Sequence, residues 1–311
     1  MSEYTFVRVS SDNLSHLQLL YKVAFNAVVS IDFFKKKFDT SAMGAEWLGY
    51  IAFDEKGTPA AYYGVFPCVC DYFGEKILVA QSGDTMTHPE HRGKGLFIQL
   101  AKKTYDLARN NGVKFIFGFP NSNSYPGFVK KLNWLHKEDL NIYKLKISTV
   151  PLAKIAKKIN FLQPLYAFYC RAILSFYISK DKCFNNSVCN EFYAGIRHDK
   201  LFFDYKNYYE SYVLRIQNKK VWVKFDGRLW IGDIEKLSKM EFEIVIKTLK
   251  RIAFFCGADN IVFHGSPKTD LELLFSQVYK VDSNSPIGYL NFDERINVDS
   301  VKYHSADFDT F

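Results

Sequence analysis

QSGDTMTHPEHRGKGLFIQLAKKTYDLARNNG, residues 81–112, reads as a strand, a short glycine-bearing loop and a helix in direct succession. The loop HPEHRGKG has the composition of an anion cradle. Arg92 supplies a permanent positive charge, and Gly93 and Gly95 remove the side chains that would hold a phosphate away from the backbone. A helix N-terminus favours an anion by roughly 0.3–1 kcal/mol. Several N–H groups acting together therefore suit a diphosphate. A Walker loop is excluded, because Gly93-Lys94 is followed by Gly95 and Leu96 where Ser or Thr is required. A dinucleotide fingerprint is excluded as well, because its third glycine would fall at Ile98. A tight strand-to-helix turn with no ligand is the plainer reading of the same residues.

Around this stretch, alternation and helical spacing predict an α+β chain. Residues 4–9 alternate as a first strand, and Leu14, Leu17, Tyr21 and Phe25 mark a helix. A short helix is expected over 31–38, with strands over 47–53, 59–70 and up to Thr87. The helix after the loop turns Leu96, Leu100, Leu107 and Ala108 inward and stops at Gly112. A buried strand over 113–119 follows, parallel to its predecessor if the connection is right-handed. Pro126 opens the next helix, and residues 140–147 are expected to close the first sheet.

Residues 181–311 repeat this order without the loop. A meander over 212–231 precedes a helix carrying Phe242, Val245, Leu249, Ile252 and Cys256 at helical spacing, then a buried strand at 260–264 and a helix at 271–278. Between meander and helix, GDIEKLSKMEF lacks any Arg-x-x-Gly-x-Gly. The division expected is 1–150, a helical linker over 151–180, and 181–311. The linker is basic and aromatic but broken by Gln163, Pro164 and Arg171, which argues against a membrane span. Burial between domains and a place on a membrane surface are its two readings, the first the plainer.

The 311 residues suit two domains. Charged residues at 24% and hydrophobic residues at 48% describe an ordinary globular chain. The net charge of +8 favours an acidic cofactor, a nucleotide-linked substrate or a membrane surface. No Arg/Lys cluster with interleaved aromatics matches a nucleic-acid module, so no nucleic-acid partner is expected. The six cysteines lack zinc spacing, so neither metal nor disulfide is expected. The start MSEYTFVRVS has no basic segment leading into an apolar run, and the expected location is cytoplasmic.

Arg92-Gly93-Lys94-Gly95-Leu96-Phe97, after Thr87-His88-Pro89-Glu90-His91, resembles motif A of the GNAT superfamily of acetyl-CoA-dependent N-acetyltransferases. Phe97 departs from that motif, whose last position is usually Gly or Ala. The resemblance covers about 1–147, and in the second half it is topological only, giving tandem GNAT-like mixed sheets flanked by helices with the second half degenerate. It implies acetyl-CoA as co-substrate. Arg92 to Phe97 would hold the diphosphate, Met86 and Thr87 at the strand end would meet the pantetheine arm, and Asn121 would flank the thiol. The pantetheine amides would pair with strand backbone left open where two parallel strands diverge.

For chemistry, the acceptor amine must be neutral, the carbonyl polarised and the departing thiolate protonated. An amine with a pKa near 10.4 is about one part in a thousand neutral near pH 7, a handicap of roughly 4 kcal/mol. Where relatives carry an acid tyrosine this chain has Val129, and Tyr125, one turn earlier, is the substitute. Asp84 is the candidate base or a loop brace. Gln81 cannot serve as a base. His88 and His91 flank the loop in solvated or phosphate-facing roles. The two-half plan is similar to the enhanced-intracellular-survival aminoglycoside acetyltransferases, which use a terminal carboxylate as base. By that resemblance the Phe311 carboxylate, or Asp309, would reach an acceptor pocket walled by the second half.

GFPNSNSYPGFVKKLNW, residues 118–134, also resembles GNAT proteins associated with surface-polysaccharide assembly. The implied reaction is acetyl transfer to the primary amine of a small molecule, an amino sugar or a nucleotide-linked one; a homodimer is compatible with the sequence, which does not set the oligomeric state. A peptide or protein amine, and a non-catalytic CoA-binding regulatory module, stand as the alternatives.

Overall fold

The structure is a computed structural model that describes residues 3–159, 161–183 and 185–311; Asn160 of the expected linker lies outside them. The first elements are β1 (Thr5–Arg8), α1 (Leu14–Phe25), α2 (Ile31–Phe38), β2 (Gly49–Phe53), β3 (Pro59–Tyr72) and β4 (Glu75–Thr87). Next come α3 (Leu96–Asn110), β5 (Phe115–Gly118), α4 (Tyr125–Leu132), β6 (Leu135–Lys146), α5 (Leu152–Lys158) and α6 (Leu162–Ser175). The remainder comprises β7 (Gly195–Ile196), α7 (Lys200–Tyr205), β8 (Ser211–Ile216), β9 (Lys219–Phe225), β10 (Leu229–Ile234), α8 (Lys239–Phe255), β11 (Asn260–Gly265), α9 (Asp270–Ser276) and β12 (Ser283–Asn291).

These elements build two compact units interleaved along the chain. The first holds Met1–Glu138, Asp204–Tyr208 and Pro286–Ser300. The second holds Asp139–Phe203, Tyr209–Ser285 and Val301–Phe311.

In the first unit the strands run in the order β1-β2-β3-β4-β5-β12. The β1 to β4 neighbours are antiparallel. A two-residue turn at Phe73 and Gly74, both at positive φ, joins β3 to β4 and matches the natural twist of a hairpin. Helix α3 then crosses over and returns the chain to β5, parallel to β4. Two cores cover the sheet. One sets Leu96, Leu100, Tyr105 and Ala108 of α3 against Tyr63, Val65 and Ile116. The other sets Leu17, Phe34 and Phe38 of α1 and α2 against Ile51, Tyr62, Phe66 and Met86.

The second unit repeats the plan. Strands β8, β9 and β10 form the antiparallel meander, α8 crosses over, and β11 lies parallel to β10. Its helix N-terminus differs from that of α3. Ser238 accepts from the Glu241 N–H at 3.4 Å while the Glu241 carboxylate accepts from the Ser238 N–H at 2.7 Å, so a capping box occupies donors that a phosphate would need.

The strand expected to close the first sheet is placed differently. Residues 141–146 of β6 pair antiparallel with β11 in the second unit. The strand beside β5 is β12, from near the end of the chain, with Phe117 opposite Tyr289. Alternation in a sequence assigns faces to a strand but does not name its neighbour. Within the expected linker, α6 buries Cys170 and Leu174 and leaves its outer face exposed.

Candidate active site

The loop between β4 and α3 opens with a short 3-10 turn, Pro89–His91. Gly93 and Gly95 both sit at φ +75°, a left-handed conformation that suits glycine, and Gly95 is the N-cap of α3. A Cβ built on Gly93 meets nothing within 4 Å. Among the described residues, the N–H groups of Gly93, Lys94, Gly95, Leu96 and Phe97 meet no acceptor, the first internal bonds being Ile98 N–H to Gly95 O at 3.1 Å and Gln99 N–H to the same carbonyl at 3.2 Å. Five consecutive donors at the positive end of a 15-residue helix, with exposed Arg92 and Lys94 beside them, fit a diphosphate.

Beside this cradle the two parallel strands diverge. β4 and β5 register only at Ala80 with Ile116 and Gln81 with Phe117. β4 continues to Thr87 with β3 on its other side, Met86 opposite Tyr62 and Thr87 opposite Ala61. Its backbone from Ser82 onward thus faces the gap without a β5 partner among the described residues, which suits the amides of an extended ligand. The Met86 side chain is buried in the core, which leaves only its main chain for such a ligand.

Ser82, the first residue past the last pair, starts a buried polar chain. Its hydroxyl lies 2.8 Å from the Tyr63 OH, which lies 3.0 Å from the Tyr105 OH, and Trp134 Nε1 donates to Tyr105 at 2.9 Å. Burial raises the Tyr63 phenol far above its ordinary value, so it stays protonated. Nothing in the sequence pattern marks this chain, whose members lie on two strands, a helix and a loop.

Asp84 sits at a bulge where two residues of β4, Asp84 and Thr85, stand opposite Tyr63 of β3, and its φ of +50° is left-handed. Its carboxylate is 2.7 Å from Lys37 Nζ of α2, and both side chains are nearly covered. The sequence hides this pair, because Lys37 is one of three consecutive lysines on a helix that reads as amphipathic.

Asn121 turns its carboxamide oxygen back on its own chain, accepting from Asn123 and Ser124 N–H at 3.0 Å each. Tyr125 is the first residue of α4, and its phenol lies 2.9 Å from His136 Nδ1. His136 was not singled out by the sequence, though it stands eleven residues downstream. His91 is held by the Tyr4 hydroxyl at 2.8 Å and lies 3.8 Å from the Asp54 carboxylate. The Lys94 ammonium is 5.9 Å from the centre of the Tyr4 ring.

Phe97 packs edge-on against Phe128 of α4 at 5.2 Å and against Tyr63 at 5.7 Å. In the second unit, the Phe311 ring lies 5.5 Å from Trp222 and over Gly232. It lines a cavity of about 530 Å³ together with Tyr209, Lys224, Arg228, Trp230 and Phe308.

Comparison with known proteins gives the same fold. Residues 14–136 match the family described as acetyltransferase (GNAT) domain. Among solved structures, a GCN5-related N-acetyltransferase from Kribbella flavida superposes with a TM-score of 0.57 at 12% identity, over 94% of this chain and 72% of that one. One from Anabaena variabilis gives 0.56 at 13%, over 92% and 72%. Saccharomyces cerevisiae N-myristoyltransferase with bound myristoyl-CoA gives 0.56 at 10%, over 94% and 79%. No curated protein matches the chain in sequence. The matched segment contains the glycine loop, the open strand edge and α4, so residues 14–136 form a GNAT acetyltransferase domain, and that domain supports an acyltransferase activity.

Proposed function

We propose that the protein transfers an acetyl group from acetyl-CoA to a primary amine of a small molecule, with an amino sugar or nucleotide-linked amino sugar as the acceptor class. The observation that carries this reading is the run of five unpartnered N–H groups from Gly93 to Phe97 beside the open edge of β4. The diphosphate rests on those donors with Arg92 and Lys94 at its flank. The pantetheine arm pairs with the main chain near Met86 and Thr87, and Asn121 flanks the thiol end in this reading.

The neutral amine attacks the thioester carbonyl, forming the C–N bond and a tetrahedral oxyanion. Collapse of that oxyanion breaks the C–S bond, and the thiolate takes a proton from Tyr125. The phenol is renewed through His136, its hydrogen-bond partner. The amine sheds its own proton to water or a base. In this reading Asp84 holds the bulged end of β4 through Lys37. The Phe311 carboxylate as base is tested by deleting residues 309–311 alongside Phe311→Ala, which removes the ring alone.

The decisive experiment has two parts. Calorimetry with coenzyme A is expected to show saturable binding that is lost on reversing charge at Arg92 and Lys94. A thiol-release assay with acetyl-CoA and pooled amino sugars is expected to show turnover. CoA binding with no turnover on any amine pool would reject the enzymatic reading, and no CoA binding by folded protein would reject the site itself.

A further inference from the structure

Helix α6 is apolar on two sides. Its inner side sends Tyr166, Cys170 and Leu174 into the second unit's core. On its outer side Phe161, Leu165, Phe168 and Phe176 follow one another at steps of four, three and eight residues, which aligns them down one face of a helix. They are 74, 63, 74 and 87% exposed. Phe161 and Phe176 are the N-cap and C-cap, so the stripe runs the length of the helix. The Tyr169 hydroxyl donates to the Phe255 carbonyl at 3.0 Å, which brings the half-exposed Phe254 and Phe255 to the same surface. An outward aromatic stripe of this size has no role in solvating the chain.

Within the segment itself the charge is one-sided, while the neighbouring acids Asp259 and Glu210 pair with two of its cations and Asp181 follows its last residue. Residues 150–180 contain Lys154, Lys157, Lys158, Arg171 and Lys180 and no Asp or Glu. Lys154 meets Asp259 at 2.5 Å and Arg171 meets Glu210 at 2.6 Å, while Lys158 and Lys180 are exposed. Among the described residues no helix is long and apolar enough to cross a bilayer. A 14-residue helix with an aromatic face and flanking cations has the dimensions of one that lies in the headgroup plane.

We propose that the α5–α6 segment docks the protein on an anionic lipid surface, with Phe161, Leu165, Phe168 and Phe176 entering the headgroup–acyl boundary and the flanking cations meeting lipid phosphates. Charge selects this occupant. A second copy seated across a two-fold axis would bring the same acid-free basic stretch against itself. A bilayer containing anionic lipid offers diffuse negative charge and apolar depth without requiring a complementary shape.

Vesicle flotation of the full chain tests it, using phosphatidylcholine alone and phosphatidylcholine with one quarter phosphatidylglycerol. Binding is expected at least tenfold tighter on the anionic vesicles, weakening as salt rises from 0.1 to 0.5 M. The variant Phe161→Ser/Leu165→Ser/Phe168→Ser is expected to lose at least tenfold of that binding with an unchanged urea midpoint, because these side chains face outward. Should the triple variant misfold, Phe168→Trp keeps the surface apolar and is expected to shift its emission to the blue and be quenched by brominated lipid. Three outcomes would overturn the proposal. These are no association of the wild type with anionic vesicles, association that the triple variant or the Trp reporter does not register, and self-association in sedimentation that these substitutions abolish while vesicles are ignored.

Discussion

Phe97 and Gly127 form a fitted pair: a Cβ built on Gly127 would come within 3.1 Å of Phe97 Cε1. Motif A relatives carry a small residue at the position of Phe97, and here the missing volume is on α4 instead. The pair couples α4 to the first turn of α3, whose N–H groups form the cradle. Gly127→Ala is expected to push the ring by a few tenths of an ångström and weaken CoA binding about three- to tenfold, equivalent to roughly 1 kcal/mol. Phe97→Leu in the same chain is expected to restore most of the loss. A double-mutant cycle by calorimetry checks this, and additive losses would refute the coupling.

Gly95→Ala separates backbone geometry from crowding. The added methyl group finds only Gln99 Nε2, at 3.8 Å, so its effect comes from a left-handed φ, worth about 1–2 kcal/mol, and from an obstructed cradle. Gly74→Ala is the control. It has φ +90° and equally open space, but lies in the β3–β4 hairpin. Both variants are expected to lower the urea midpoint comparably. Only Gly95→Ala is expected to weaken CoA affinity, by at least tenfold. Equal CoA affinity in the two would show that the loop does not hold the ligand.

What was legible in the sequence was local. Period-two and helical patterns placed most elements within a few residues, and the cradle announced itself because glycines and cations at fixed offsets are a short-range signal. Relations spanning the chain were not legible. The exchange that sets β12 beside β5 and β6 beside β11 involves strands more than a hundred residues apart. Lys37 reads as one of three solvated lysines until the fold brings it to Asp84. His136 becomes informative only when the end of α4 and the start of β6 place it against the Tyr125 phenol.

The Lys37–Asp84 pair makes a prediction about stability. With both groups nearly covered, Lys37→Met leaves a buried carboxylate without its counter-ion and is expected to destabilise the chain by about 3–5 kcal/mol. Adding Asp84→Asn is expected to recover a substantial part of the loss, since the neutral amide tolerates the site better. Chemical denaturation of both single variants and the double one checks this. If Asp84→Asn alone abolishes turnover in protein that still melts cooperatively and binds CoA, Asp84 acts on the reaction and not on the bulge.

Tyr125→Phe removes the proposed proton donor while keeping the ring. Its expected signature is a fall in kcat of about 10²–10⁴-fold with CoA affinity within threefold of wild type. His136→Gln keeps a polar partner but no titrating ring, and it is expected to lower kcat less and to change the pH profile. Stopped thiol-release assays across pH distinguish these effects. Full activity in Tyr125→Phe would remove this tyrosine from the mechanism.

A last prediction concerns the second unit, where His198 is enclosed by two carboxylates. Nδ1 lies 3.1 Å from Asp233 Oδ2 and Nε2 lies 2.9 Å from Asp307 Oδ1, while His304 Nδ1 approaches the other Asp233 oxygen at 3.1 Å. Burial alone pulls the His198 imidazole down, but the hydrogen bonds to Asp233 and Asp307 outweigh it and push the imidazole up to about 9. Asp233 is moved the opposite way: burial raises it, and the two histidines hold it well below the carboxylate range. A folded value above the ordinary 6.5 means that the His198 contribution is complete below pH 6.5 and is lost as pH climbs through 9. The Asp233 contribution is complete above the ordinary carboxylate value and is lost only in strong acid. The unfolding free energy is therefore expected to hold near pH 6 and fall by pH 9.5, by an amount on the order of 3 kcal/mol. His198→Gln is expected to start lower and stay flat across that interval. A wild-type profile as flat as that of the variant would show that the imidazole is not charged in the folded protein.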